Sequence, residues 1–381
     1  YSGPLDTDAS EVSALAFNAA GDVVLGGTFK NELDFGAFNI VGNAADSDVF
    51  IGTIDVVTGT PLSAVRVSTG PGNETLAGLD VLANGNYAVG GFYAGSTATL
   101  GSNSSGFAGG YDAFWGQVTP AGTVVHANFA STIATETVED VRADPDGDYV
   151  ISGLYETALA IDAHGLTGSG AFLSRISSAT GTALWLGGHE VEGGGTLVSG
   201  RRIDIDAKGR IFGAYPIYTS GAATFLGAAV PMGSVSGVMF VADHEDGAVL
   251  TMRGFDAIGA NVNLSAVAAN NYGDAVALGF FDGPTSIDGQ TLAHVGEVDH
   301  LAIGFGELVG HPARLFSLRA DYNIDFVEQD GAAATTVPNL AARAPVGSDL
   351  VVNNGTVSVV PDGVGGHLTA AFAGAENLTT S

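Results

Sequence analysis

Val12-Ser-Ala-Leu-Ala-Phe-Asn-Ala-Ala-Gly21-Asp-Val-Val-Leu-Gly-Gly-Thr-Phe29 is two apolar runs of strand length joined by an Asn/Asp/Gly turn, the signature of a β-hairpin. The phrase returns as Leu76-Ala-Gly-Leu-Asp-Val-Leu-Ala-Asn-Gly85-Asn-Tyr-Ala-Val-Gly-Gly-Phe92 and as Val138-Glu-Asp-Val-Arg-Ala-Asp-Pro-Asp-Gly147-Asp-Tyr-Val-Ile-Ser-Gly153. A fourth copy is Gly200-Arg-Arg-Ile-Asp-Ile-Asp-Ala-Lys-Gly209-Arg-Ile-Phe-Gly213, and a fifth is Leu264-Ser-Ala-Val-Ala-Ala-Asn-Asn-Tyr-Gly273-Asp-Ala-Val-Ala-Leu-Gly279. Successive turn glycines are 64, 62, 62 and 64 residues apart, so the chain is a repeat protein.

Working outward from the hairpin, whose strands we name A and B, each unit holds a third apolar run, C. These are Asp48-Val-Phe-Ile-Gly52, Asp112-Ala-Phe-Trp-Gly116, Ala171-Phe-Leu-Ser-Arg175, Val238-Met-Phe-Val-Ala242 and Asp299-His-Leu-Ala-Ile303. A Gly-bearing turn leads to a fourth, D, such as Leu62-Ser-Ala-Val-Arg66 or Thr123-Val-Val-His-Ala127. Between B and C lies a minor echo, for example Asp34-Phe-Gly36 and Ile161-Asp162, expected to steer the long connection along one edge. Four antiparallel strands every 62 or so residues predict an all-β fold, a β-propeller of four-stranded blades, with five clear blades and a partial sixth. The A strands are apolar at nearly every position, as strands buried on both faces must be. Neighbouring blades therefore have to cover them. A β-solenoid or a string of sandwich-like domains fits the period less well.

The glycine turn, the strand ending Gly26-Gly-Thr-Phe29, Asp34-Phe-Gly36 and Gly109-Gly-Tyr-Asp112-Ala-Phe114 resemble the SBBP-type β-propeller repeats of bacterial secreted and surface proteins. The resemblance covers about residues 11–320. It implies an extracellular propeller of six to eight blades and no catalytic residues. The third and fourth units depart from it, with Gly170-Ala171 and Gly237-Val238 where other units carry Asp48, Asp112 and Asp299.

Residues 1–320 are expected to form blades one to five. The pattern then lapses. Tyr322 to Ser348 is Ala/Pro/Asp-rich, so 321–348 is expected to be an irregular insertion or linker. A hairpin predicted at Val357-Ser-Val-Val-Pro-Asp-Gly-Val-Gly-Gly366-His-Leu-Thr-Ala-Ala-Phe372 makes 349–381 a partial sixth blade or the start of a further β-domain. Closure of the ring then involves another chain or further sequence, since residues 1–10 are short for it.

Composition narrows the partners. With 12 Lys+Arg against 41 Asp+Glu, the formal net charge is −29, which excludes nucleic acid and anionic membrane surfaces. No apolar run is long enough to insert as a helix. Cys is absent, which removes disulfides, thiolate metal sites and thiol nucleophiles. Lys30 and Lys208 are the only lysines, and so acidic a surface suits an extracellular or cell-surface address. Asn-x-Ser/Thr triplets begin at Asn73, Asn103, Asn263, Asn354 and Asn377, a motif that also arises by chance.

Three groupings are candidates for chemistry. Asp144-Pro-Asp146-Gly-Asp148 sets carboxylates at alternate positions, as calcium loops do, but Tyr155 stands where an EF-hand has its bidentate acid, and the A–B turn position also favours Asp on conformational grounds alone. Calcium is the one cofactor the sequence suggests. His189-Glu190-Val-Glu192 is expected on a D-to-A connection, on the same face as the B–C loops, where it could bind a ligand. Asp243-His-Glu-Asp246 is expected on a C–D turn, at the opposite face. No Gly-x-Ser-x-Gly or His-Glu-x-x-His occurs, and Trp115 and Trp185 fall in strands as core residues.

The sequence thus predicts a non-enzymatic scaffold that binds protein or carbohydrate at the cell surface, or assembles with itself, through its B–C and D–A loops. A polysaccharide hydrolase or lyase is the alternative; it would gather acids and histidines from several blades, whereas equivalent A-strand positions read mostly Val, Leu, Ala and Asp. A surface filament or array is a third.

Overall fold

A computed structural model of the chain describes residues 10–191, 202–215, 223–230, 237–257, 262–270, 273–287, 290–292, 299–306, 314–318, 324–328, 342–343, 349–353, 356–360 and 367–368. In blade 1 the A, B, C and D strands are Ser10–Phe17, Val23–Phe29, Asp48–Ile54 and Pro61–Arg66, paired antiparallel in that order. Blade 2 uses Asn73–Val81, Tyr87–Ala94, Asp112–Val118 and Val124–Ala130. Blade 3 uses Glu136–Ala143, Tyr149–Tyr155, Gly170–Ile176 and Ala183–Val191. Blade 4 uses Arg202–Ile205, Arg210–Tyr215, Gly237–Asp243 and Val249–Ala257, and blade 5 Val262–Ala269, Asp274–Phe281, Asp299–Gly306 and Arg314–Leu318. The five blades stack in chain order in a β-propeller arrangement, each A strand lying against the next.

The A–B turn is one device used five times. Gly21, Gly85, Gly147, Gly209 and Gly273 all have φ between 80° and 95°, a conformation glycine adopts without penalty. In blade 3, Asp144 Oδ1 accepts the N–H of Asp146 and of Asp148, both at 2.9 Å, and Asp206 does the same in blade 4. Every A strand with its full register described carries a β-bulge three to four residues into it, between Val12 and Ala14, Leu76 and Gly78, Val138 and Asp140, and Leu264 and Ala266. The bulge presses a carbonyl of the A strand towards the B strand. A Cβ at Gly27, Gly91, Gly153 or Gly279 would run into the carbonyl oxygen of Glu11, Thr75, Thr137 or Asn263. That close approach explains the second glycine of the repeated Gly-Gly.

Burial follows from stacking. Val24, Val49 and Ile51 of blade 1 pack with Leu76, Leu79, Tyr87 and Phe114 of blade 2, and similar apolar layers fill the 2–3, 3–4 and 4–5 interfaces. Trp115 and Trp185 belong to these layers.

Three sequence expectations are corrected. The echo between B and C is a hairpin in its own right, Glu32–Phe35 with Phe38–Val41 in blade 1 and Ala158–Ile161 with His164–Thr167 in blade 3. In blades 4 and 5 this hairpin adds to the outer edge of the preceding blade: Ala223–Phe225 pairs with His189–Val191, and Thr285–Ile287 with Phe255–Ala257. An otherwise open D-strand edge is thereby paired. Secondly, 321–348 is not wholly irregular, because Ile324–Glu328 pairs antiparallel with the blade 5 D strand. Thirdly, the tail hairpin uses another register: Thr356–Val360 pairs backwards with Asp349–Asn353, while His367–Leu368 pairs with Ala342–Arg343.

Candidate functional site

The Asp144, Asp146 and Asp148 carboxylates do converge, and they converge on a guanidinium. Arg175, on the C strand of blade 3, places Nε 2.6 Å from Asp144 Oδ2 and Nη2 3.0 Å from Asp146 Oδ2 and 3.3 Å from Asp148 Oδ2. Asp146 Oδ2 also lies 3.0 Å from His244 Nε2 of blade 4. His244 and Arg175 hold the Asp146 carboxyl below the usual carboxylate range by hydrogen bonding. Two groupings that the sequence sets far apart, 144–148 and 243–246, are therefore one cluster at the A–B turn end of the 3–4 interface. Trp185 Nε1 donates to the His244 carbonyl at 2.8 Å and completes the joint. Among the described residues, no group of three or more His, Asp or Glu side chains is arranged to hold a metal ion.

A second cluster lies on the A strands of blades 2, 3 and 4. Asp140 Oδ1 accepts from Val141 N–H (2.9 Å) and Arg142 Nη1 (2.7 Å), and its Oδ2 accepts from Ile203 N–H of blade 4 at 3.0 Å. Asp80 repeats the pattern from blade 2 to blade 3, accepting from Val81 N–H and Ala143 N–H, and Asp204 does so from blade 4 to blade 5, accepting from Ile205 N–H and Ala269 N–H. Arg142 Nε lies 3.6 Å from Asp204 Oδ1. Arg202 of blade 4 donates to the bulge carbonyls of Glu139 in blade 3 (2.8 Å) and Ala77 in blade 2 (3.2 Å). A side chain can bridge three blades only where their A strands converge. Burial pushes the Asp140 carboxyl up, and Arg142 and Arg202 oppose that shift. The A strands therefore do carry a unique polar set, contrary to the sequence reading. Its sign alternates in register, Asp80, Arg142, Asp204, a signal visible in an aligned repeat.

His189 sits within the D strand of blade 3, which pairing with Ala223–Phe225 extends to Val191, so the expected D–A connection begins later. Its imidazole is buried, and neither ring nitrogen has a hydrogen-bond partner among the described residues. Burial pushes it down to about 4, so it is neutral at physiological pH. Glu190 lies in the same strand, and Glu192 lies outside the described residues. Tyr155 Oη donates to the His189 carbonyl at 3.0 Å.

A fourth acidic group has no counterpart in the sequence reading. Glu74 opens the A strand of blade 2 against Asp46 and Asp48 of blade 1. It is fully buried, and neither carboxyl oxygen has a partner among the described residues; the Ser68 hydroxyl beside it accepts from Val49 N–H at 2.7 Å. Burial and the nearby Asp48 push the Glu74 carboxyl up to about 8. Arg66 engages Asp48 at 2.7 Å. Glu136 is the equivalent in blade 3, and there the Thr132 N–H and hydroxyl satisfy it at 2.9 and 2.5 Å.

No protein-family model matches the chain, and no curated protein matches it. Among solved structures it is similar to the Dos1 propeller (9% identity, TM-score 0.35, 85% of each chain covered). It is also similar to Chaetomium thermophilum Sqt1 bound to the N-terminus of ribosomal protein L10 (13%, 0.32, 84% of this chain and 86% of that one). A protein of unknown function from Bacteroides caccae aligns at 11% identity and TM-score 0.29, covering 67% of this chain and 85% of that one. The propeller architecture rests on the strand order and register of the chain itself.

Proposed function

We propose that the protein is a non-enzymatic binding or assembly scaffold, displayed outside the cell or on its surface, which presents its B–C hairpins and D–A connections to a protein or carbohydrate partner. One observation supports this most directly: the acids and bases that several blades bring together on the A strands and at the A–B turns are engaged with one another and with backbone amides. Asp140, Asp80, Asp204, Arg142 and Arg202 join A strands, and Asp144, Asp146, Arg175 and His244 join blades 3 and 4. A hydrolase needs a carboxyl free to exchange a proton with substrate or water, and these groups are held by fixed donors. The acid excess and the resemblance of Gly21–Phe29 and Gly109–Phe114 to SBBP-type surface repeats support the address.

Screening the immobilised protein against cell-surface glycans and extracellular proteins, with a parallel assay for new reducing ends or unsaturated sugars, tests the reading. The expected result is saturable binding without turnover, weakened by substitutions in exposed hairpin residues such as Glu32, Asp34 and Asn39. Turnover abolished by an A-strand substitution such as Asp80→Asn would replace the scaffold with an enzyme.

A further inference from the structure

Among the described residues, each end of the stack carries apolar side chains that stand exposed. At equivalent register, the A-strand pairs Leu76/Leu79, Val138/Val141 and Leu264/Val267, with Ile203 in blade 4, are buried by the preceding blade. In blade 1 the same positions are Val12 and Leu15, and they are 53% and 63% exposed. The opposite face behaves in the same way. Val24, Ala88, Val150 and Phe212 of the B strands are fully buried by the following blade, whereas Val276 of blade 5 is 42% exposed and its neighbour Leu278 49%. Blade 1 therefore presents, at its A strand, apolar surface of the kind that internal interfaces bury, while Leu25, Phe29 and Phe50 on the same face are covered by its own B–C hairpin; blade 5 presents such surface at its B strand.

We propose that the hairpin Asp349–Asn353/Thr356–Val360 of this same chain occupies the gap, sealed on one side by Val12 and Leu15 of blade 1 and on the other by Val276 and Leu278 of blade 5. The hairpin forms a two-stranded sheet of its own, paired to no blade. Its strands read Leu350-Val-Val352 and Val357-Ser-Val-Val360, apolar on successive residues, the pattern of a strand that needs cover on both faces. Two open faces meet that need, one on each side. The two residues that join its strands, Asn354-Gly355, are a hairpin signal in the sequence. The 20 residues between Glu328 and Asp349 span up to roughly 65 Å when extended, ample to reach the gap, and the tether makes docking intramolecular. A second copy is the less favourable occupant, because two chains of net charge −29 repel each other.

The test uses the full-length chain with Leu15→Asp, Leu278→Asp and, as a control, Val57→Asp, an 88% exposed position at a C–D turn. Hydrogen exchange of residues 349–360 and sedimentation velocity over a range of concentrations are the readouts. The expected result is a monomer in which each face substitution speeds exchange at 349–360 by about tenfold or more, the control leaves it unchanged, and exchange in blades 2 to 4 stays at the wild-type rate in all. Dimers or polymers dispersed by either face substitution would assign the faces to a second copy and overturn the proposal. So would exchange at 349–360 that responds to neither substitution, meaning that blades 1 and 5 close directly, or to only one, meaning that the hairpin is not sandwiched.

Discussion

Asp140 and Glu74 are both fully buried acids at blade interfaces, and their surroundings are opposite. Asp140 lies where A strands converge and finds two backbone N–H groups and the Arg142 guanidinium, with Arg202 close by. Glu74 opens the A strand of blade 2, where it meets Asp46 and Asp48 of blade 1 and, among the described residues, only the Ser68 hydroxyl and the Thr99 amide favour its charged form. The inner acid works as a staple between A strands, paired with the Arg142 guanidinium. The outer one is kept as a neutral carboxyl, and its interface is accordingly sensitive to pH. The difference comes from donor supply: converging A strands bring the Val141 and Ile203 amides and two guanidinium groups to Asp140, whereas Glu74 faces Asp46 and Asp48.

Breaking the inner staple should have the largest effect. Arg142→Met leaves Asp140 without its nearest countercharge and is expected to cost about 3 kcal/mol in denaturant unfolding, with Asp140→Asn in the same chain recovering most of it. Full additivity of the two changes would mean that they do not act as a pair.

Glu74 provides the opposite test. Its folded-state pKa, about 8, lies above its unfolded value of 4.5, so its contribution is fully present below pH 4.5 and is lost as pH rises towards 8. Glu74→Gln, which cannot ionise, should match the wild type near pH 4.5 and exceed it by about 2 kcal/mol at pH 8. A variant less stable than the wild type at both pH values would contradict the neutral-carboxyl account.

A smaller effect sharpens the same contrast. Arg66→Met removes the cation that holds Asp48 and should cost about 1 to 2 kcal/mol in denaturant unfolding, and Arg66→Lys, which keeps the charge, less. An equal cost for both would mean that Arg66 contributes packing rather than charge. The smallest effect concerns Asp144, Asp146 and Asp148. Because Arg175 supplies positive charge among them, adding a chelator or millimolar calcium should leave the melting temperature unchanged within error. A clear loss on chelation would establish a calcium site instead.

The fold was legible because turn chemistry is local: each of the five A–B turns places a glycine at positive φ, and the strand it opens is rich in apolar residues. The tail was misread for the same reason. Asn354-Gly355 carries the stronger hairpin signal, but Pro361-Asp-Gly363 competes with it in one sequence. The joints between blades were not legible from local pattern, since Asp80 and Ala143, or Asp140 and Ile203, are 63 residues apart. They could have been found by asking why a charge stands at the same register of successive apolar strands. His189 reads as a loop residue in the sequence because its strand is prolonged by a partner from the next repeat, which no local rule reveals.

The account depends on blades that share an axis. Small-angle scattering of the full chain measures this directly: a stack converging on its A strands predicts a radius of gyration of about 21 Å, that of a compact domain of this length. A value well above roughly 30 Å, as modules strung end to end would give, would contradict it.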